Sequence, residues 1–239
     1  MPLPKISTPI YDLVLPSTEK KIKYRPFLVK EEKLLVLALE TEDTKEITNA
    51  VQQVLNNCIQ TKGIKVDKLP TFDIEYLFLN IRAKSVGESI EVNLICPDDG
   101  VTEAKVTINV DDIEIHKDKK HEKTIKLGND LFMDMKYPSL SEFIKSNFDP
   151  NEAVDMDASF ELISGCVEKI YNEEEVWASE DVTNKELKDF LEGMNSAQFK
   201  QIETFFSTMP KLSHEVELKN PETGVKSKVT LEGLASFFA

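Results

Sequence analysis

The residues of this chain whose types and spacing come nearest to a recognised chemistry lie in two short stretches, CPDDG (Cys96–Gly100) and NPETG (Asn220–Gly224). Both have the frame of a metal-binding knuckle, C-P-x-C-G, in which two thiolates three positions apart hold one side of a tetrahedral ion. A structural zinc site needs four thiolate or imidazole ligands, usually as two C-x₂-C pairs. Here Cys96 is the only such ligand. Asp99 stands where its partner would be, and Asn220 and Thr223 take the two places of the second turn. One thiolate does not hold zinc, so no metal site is expected. Asp98 and Asp99 could serve a hard cation, but a calcium loop needs roughly six to eight oxygens and the pattern D-x-[DN]-x-[DN]-G is missing. Both read as turn residues. Whether the pair of turns imitates, or descends from, a metal ribbon whose ligands were replaced is left open by the sequence.

Other chemistry is sparse. His116 and His121 flank a lysine-rich stretch and read as a solvated pair, and His214 is tied to no acid or thiol motif. G-x-S-x-G, H-E-x-x-H, G-x-x-x-x-G-K-[ST] and G-x-G-x-x-G do not occur. With eight glycines in the chain there is little material for a phosphate-cradling loop. Carboxylates abound, but nothing singles out a pair in a pocket. The expectation is therefore no catalytic residue, no cofactor and no metal ligand, and no enzyme. Cys58 falls on an apolar helical stripe and reads as core. Trp177, in the acidic run NEEEVWASEDV, reads first as a core anchor. The sharper alternative is a partner anchor, because exposed Trp is enriched at interface hot spots.

The two knuckle-like turns need strands to carry them. EVNLICPDDG (Glu91–Gly100) and EVELKNPETG (Glu215–Gly224) lie 124 positions apart, and each is followed by a second alternating run, VTEAKVTI and VKSKVTL. Ile90, Val92 and Leu94, then Val106, Ile108 and Val110, alternate with polar residues, which predicts an antiparallel hairpin. In each turn the Pro presets φ, and the Gly three residues later can take the positive φ that returns the chain. Two hairpins of like geometry are expected, side by side in one sheet if they pair. The likeness covers about 17 residues and no solenoid period accompanies it.

Helices surround the hairpins. A first runs from about Lys30 to Glu40. DTKEITNAVQQVLNNCIQ places Ile47, Ala50, Val51, Val54, Leu55 and Cys58 on one stripe, with Thr44 as its cap. In LPTFDIEYLFLNIRAKSVGE, capped by Thr71 and stopped by Gly87, Phe72, Ile74, Leu77, Phe78 and Ile81 cover most of the circumference, so this helix should be buried on several sides. HKDKKHEK reads as a charged loop, and KTIKLGNDLFMDMKYP as two short strands. SLSEFIKSNF reads as a short helix and residues 152–172 as one long helix. An edge segment and two small helices follow, capped by Thr183 and by Asn195 or Ser196, and EGLASFFA reads as a terminal helical turn.

The fold class expected is α+β, helices packed with small antiparallel sheets built from two ribbon-like hairpins without metal. The parts are an extended Pro-rich arm over 1–23, a helical part over 24–88, the first hairpin with short strands over 89–137, and helices with the second hairpin over 138–239. Together they make one compact body or two subdomains. Four prolines in the first sixteen residues favour extended backbone in the arm. Its apolar Ile6, Ile10, Leu13 and Leu15 could dock on their own domain or on another chain.

Acids outnumber bases 43 to 29, a net charge of −14. That argues against nucleic acid, which needs a basic surface, and against anionic membranes. The first residues lack the apolar segment of a secretory signal, and no apolar run approaches a membrane span; LLVLAL, with six residues, is the longest. Three scattered cysteines, Cys58, Cys96 and Cys166, read as reduced thiols. The composition fits a protein that meets protein partners.

Over Tyr24–Glu88 the segments YRPFLVKEEKLLVLALE, ITNAVQQVLNNCI and VDKLPTFDIEYLFLNIRAKSVGE, continued by ICPDDG, resemble the baseplate hub assembly proteins of T-even-type contractile-tailed phages. The resemblance implies no active site to carry over. It implies a non-enzymatic component or assembly factor of the tail baseplate hub, with other hub proteins as partners, found in the host cytoplasm during assembly or in the virion baseplate. The replaced cysteines depart from members with C-P-x-C-G-like turns. Readings of another class are a hub-associated hydrolase and a bacterial protein-binding module.

Overall fold

The computed structural model describes residues 6–41, 43–128, 130–140, 142 and 156–233. The chain is α+β, and every sheet among the described residues is small and antiparallel. It divides into two compact units, one of Met1–Val66, Phe72–His116 and Lys211–Ala239, the other of Asp67–Thr71 and Lys117–Pro210.

The first unit opens with a hairpin, β1 (Tyr11–Val14) and β2 (Lys21–Tyr24). Leu15, Ile22 and Tyr24 are buried, while Ile6 and Ile10 are exposed. The hairpin turn is held by Asp73, whose carboxylate accepts from the Ser17 backbone N–H at 3.0 Å and from the Ser17 hydroxyl. Helix α1 (Val29–Leu39) follows, started by Glu31, whose carboxylate accepts the Leu28 N–H at 2.8 Å. Helix α2 (Thr44–Cys58) has its cap one residue earlier than expected: Asp43, not Thr44, accepts from the N–H groups of Lys45 and Glu46, and a carboxylate suits that end of the helix dipole better than a hydroxyl. Val51, Val54, Leu55 and Cys58 form its buried stripe.

Helix α3 (Thr71–Val86) has no exposed residue before Val86. Thr71 is its first helical residue, and Gly87 ends it with φ 132° and an N–H bond to the Ala83 carbonyl. Strands β3 (Ser89–Ile95) and β4 (Glu103–Asn109) form the first hairpin, and β5 (Glu114–His116) comes next.

In the second unit β6 (Thr124–Lys126), β7 (Phe132–Met135), β8 (Val167–Tyr171) and β9 (Val176–Ala178) make one sheet in that order. Helices α4 (Met156–Gly165), α5 (Asn184–Glu192) and α6 (Ser196–Thr208) supply the rest of its core, with Met133, Leu162, Ile170, Leu191, Ile202 and Phe205 buried together. Thr183 caps α5 and Asn195 caps α6, as their spacing predicts. The long helix expected over 152–172 is corrected. It stops at Gly165, and Val-Glu-Lys-Ile-Tyr is strand β8, paired on one side with β7 and on the other with β9. The helix expected from SLSEFIKSNF, the first residues of the 152–172 prediction and the terminal turn in EGLASFFA lie wholly or mostly outside the described residues.

The chain then returns to the first unit with β10 (Lys211–Lys219) and β11 (Lys226–Glu232), the second hairpin. Strand β10 lies between β11 and β5 in a three-stranded sheet. The two hairpins therefore belong to separate sheets, not one. They meet through side chains instead. Ile90, Val92 and Ile108 share a core with Leu212, Val216 and Leu231, and Cys96, Ala104 and Leu218 form a small cluster beside the turns.

Candidate functional site

The two knuckle-like turns fold alike. Gly100 has φ 71° and Gly224 φ 75°, conformations that cost glycine nothing. In each, the Gly N–H reaches back 2.9 Å to the carbonyl four residues earlier, Cys96 in one and Asn220 in the other. They differ by one residue, since the first connection spans Cys96–Thr102 and the second Asn220–Val225.

The turns also face each other. Asn220 is fully buried. Its side-chain oxygen accepts the Glu222 and Thr223 N–H groups at 2.8 and 3.2 Å. Its amide nitrogen is thereby fixed toward the other turn, where it donates to Asp98 at 3.1 Å and to Asp99 at 2.9 Å. The Thr223 hydroxyl donates to Asp98 at 2.6 Å. Asp99 is further tied to its own turn, accepting from the N–H groups of Val101 and Thr102 at 3.0 Å and from the Thr102 hydroxyl.

Hydrogen bonds from Thr223 and Asn220 hold the Asp98 carboxyl below the ordinary range. For Asp99 the Thr102 hydroxyl leads, followed by the backbone donors and Asn220, with the same result. Such groups stay ionised in the folded chain at neutral pH as acceptors for these donors. Among the described residues no group of three or more His, Cys, Asp or Glu could hold a metal ion.

The cysteines are all buried and free. Burial raises the Cys58 thiol to about 11 and that of Cys166 further, so neither offers a thiolate at neutral pH.

His116 is exposed on β5, and His214 is half-buried on β10. His121 corrects the reading of a solvated pair. Its ring stacks on Tyr137 with centroids 5.5 Å apart, lies 5.2 Å from Phe205, and places Nδ1 3.0 Å from the Thr208 hydroxyl. The Thr208 hydroxyl donates to the Thr204 carbonyl, so the His121 Nδ1–H is the donor of that contact and Nε2 carries the lone pair. Nε2 is buried with no hydrogen-bond partner. Local polarity in HKDKKHEK hides this, because the aromatic partners come from distant elements.

Burial foremost, and then the Lys123 charge, lowers the His121 pKa, with Asp118 opposing. The neutral ring is thus the folded form, while the unfolded chain takes up a proton at about pH 6.5. Stability linked to this group is complete above that value and declines as pH falls toward the depressed folded pKa. Thermal melts at pH 7.5 and 5.5 should show a drop for the natural chain that is smaller in His121→Phe, which keeps the stack. An equal drop in both would place the pH dependence elsewhere.

Trp177 is not a core anchor. It stands on β9, the last strand of its sheet, 37% exposed beside the more exposed Val176.

A larger apolar surface lies on α1, and sequence reading missed it. The buried residues of α1 are Glu31 and Ala38. On the opposite side Val29 and Val36 stand nearly in line, with Leu37 and Leu39 roughly 80° to either hand. All four are about half exposed or more, and Val29 reaches 79%. The available signal was LLVLAL itself, a run apolar on every side of a helix only eleven residues long. No described helix is long and apolar enough to cross a membrane.

A family model described as T4 bacteriophage base plate protein matches residues 8–239. This bears out a baseplate protein of the T4 type, as the resemblance over Tyr24–Glu88 implies, and covers nearly the whole chain. No curated protein and no solved structure matches.

Proposed function

The chain belongs to the T4 bacteriophage base plate protein family, and on that premise we propose that it serves the baseplate hub as a non-enzymatic component or assembly factor, acting through protein–protein contacts. The observation that carries this is the apolar face of α1. Four exposed aliphatic side chains over one half of the helix, with Glu32 and Lys33 among them, on a chain of net charge −14, are a surface suited to burial against another protein. The partners fitting this reading are other hub proteins, met in the host cytoplasm as the tail end is built.

The test is affinity capture of the tagged chain from infected cells, with the natural sequence and with Val36→Lys/Leu37→Lys. The natural chain should retain baseplate proteins and the double variant should lose them while melting at the same temperature. Equal capture by both would remove α1 from the interface. Mass spectrometry of purified virions then distinguishes a retained subunit from a factor released after assembly.

A further inference from the structure

The turn pair invites comparison with a two-knuckle metal centre, and its donor set does not fit an ion. Four positions would supply ligands there: Cys96, Asp99, Asn220 and Thr223. One is a buried thiol and one a carboxylate already engaged by Thr102 and the turn N–H groups. The decisive group is Asn220. Its oxygen is occupied by two backbone N–H groups, so its –NH₂ points across to the first turn and donates three contacts to Asp98 and Asp99. A cation and these N–H protons cannot share that space.

We propose that this hydrogen-bonded knot replaces a four-ligand metal centre: it uses three of those positions, Asp99, Asn220 and Thr223, with Asp98 in place of the buried Cys96, and performs the same task of clamping the two hairpins together. Three observations carry it. The turns share Pro, Gly, positive φ and the reach-back bond. Residues more than 120 positions apart meet at hydrogen-bond distance, and both cross-links to Asp98, from Asn220 and from Thr223, come from ligand positions of the second turn. The packing beneath is continuous, since Cys96, Ala104 and Leu218 form one buried cluster under the knot. Two adjacent carboxylates would repel without the Asn220 and Thr223 donors. The amide and hydroxyl therefore do for Asp98 and Asp99 what a divalent ion does for four thiolates, neutralising by donated protons in place of metal charge.

The inference is independent of the baseplate role, and two arms test it. In the first, Asp99→Cys/Asn220→Cys/Thr223→Cys joins Cys96 to give four thiols. With cobalt(II) this variant should bind one ion per chain and show the charge-transfer and d–d bands of a tetrahedral tetrathiolate, displaced by zinc. The natural chain should contain no stoichiometric zinc and melt unchanged in chelator. If the variant is unfolded without metal, zinc should restore its circular dichroism. A folded variant that takes up no ion, a variant that neither folds nor recovers with zinc, or one zinc per natural chain would overturn the proposal. In the second arm, Asn220→Ala in the natural chain should lower the melting temperature by roughly 4 °C or more. A variant that melts with the natural chain would show that the knot clamps nothing.

Discussion

Phe78→Ala should cost about 3–5 kcal/mol of folding free energy, the range for emptying a fully enclosed Phe site. Successive helical residues are turned by about 100°, so the three consecutive buried residues Leu77, Phe78 and Leu79 cannot share one face. They require protein on at least two sides of α3. Phe72, Ile74, Ile81 and Ala83 close the remaining directions. A cavity left by the ring has little freedom to collapse, because its walls are fixed by a helix that is itself held all round. Urea denaturation should show the lower midpoint with unchanged slope. Phe78→Leu should recover part of the loss. Leu37→Ala, on the exposed face of α1, should change stability by less than about 1 kcal/mol. A loss at Phe78 as small as that of Leu37 would mean that α3 is covered by something other than its own chain.

The second large loss is expected at Glu31. Its carboxylate is 1% exposed and serves three donors: the Arg25 Nη2 at 3.0 Å, the Leu28 N–H at 2.8 Å and the Lys30 Nζ at 3.3 Å. The Arg25 side chain is itself only 13% exposed and also donates to the Pro26 carbonyl. Removing one partner of a buried pair leaves an uncompensated charge, which costs about 3–5 kcal/mol. Glu31→Ala should fall in that range, and Glu31→Gln, which keeps an acceptor for Leu28, should lose less. Burial alone would raise the Glu31 carboxyl, but the bonds from Arg25 and Leu28 outweigh it and hold it below the usual range. A depressed carboxyl gives stability that is complete above about pH 4.3, the unfolded value, and is lost as pH falls through the folded pKa. The acid limb of the stability profile should therefore be shallower in Glu31→Gln. Equal acid limbs, or a loss under about 1 kcal/mol in Glu31→Ala, would show the pair to be screened by water.

Much of this architecture is legible where information is local. The stripe of α2, the full circumference of α3, the caps at Thr183 and Asn195 and the alternation of both hairpins each follow from residues within one element. The failures mark where distant partners decide. Val167 and Ile170 sit at a spacing of three, which suits a helix and not a regular strand. Pairing with β7 and β9, absent from any local window, settles the matter for a strand. His121 lies among lysines and acids, and only Tyr137 and Phe205 make its ring an interior group. The turn pair is the intermediate case. Its repeated Pro and Gly announce two equal turns, but that Asn220 meets Asp98 depends on the whole first unit closing. The apolar face of α1 was visible as composition and gave no hint of its exposure, because a periodic pattern does not state which side is covered.

The place of β10 in the chain has a consequence for synthesis. Asp98 and Asn220 are 122 positions apart; at about 5–20 residues per second the partner of the first hairpin leaves the ribosome on the order of 10 s after it. Until then Ile90, Val92 and Ile108 lack the strand that covers them. Closing so long a loop adds little to the equilibrium cost, since that cost grows only with the logarithm of length. It does set a waiting time, during which the nascent chain presents a half-sheet with a bare apolar face.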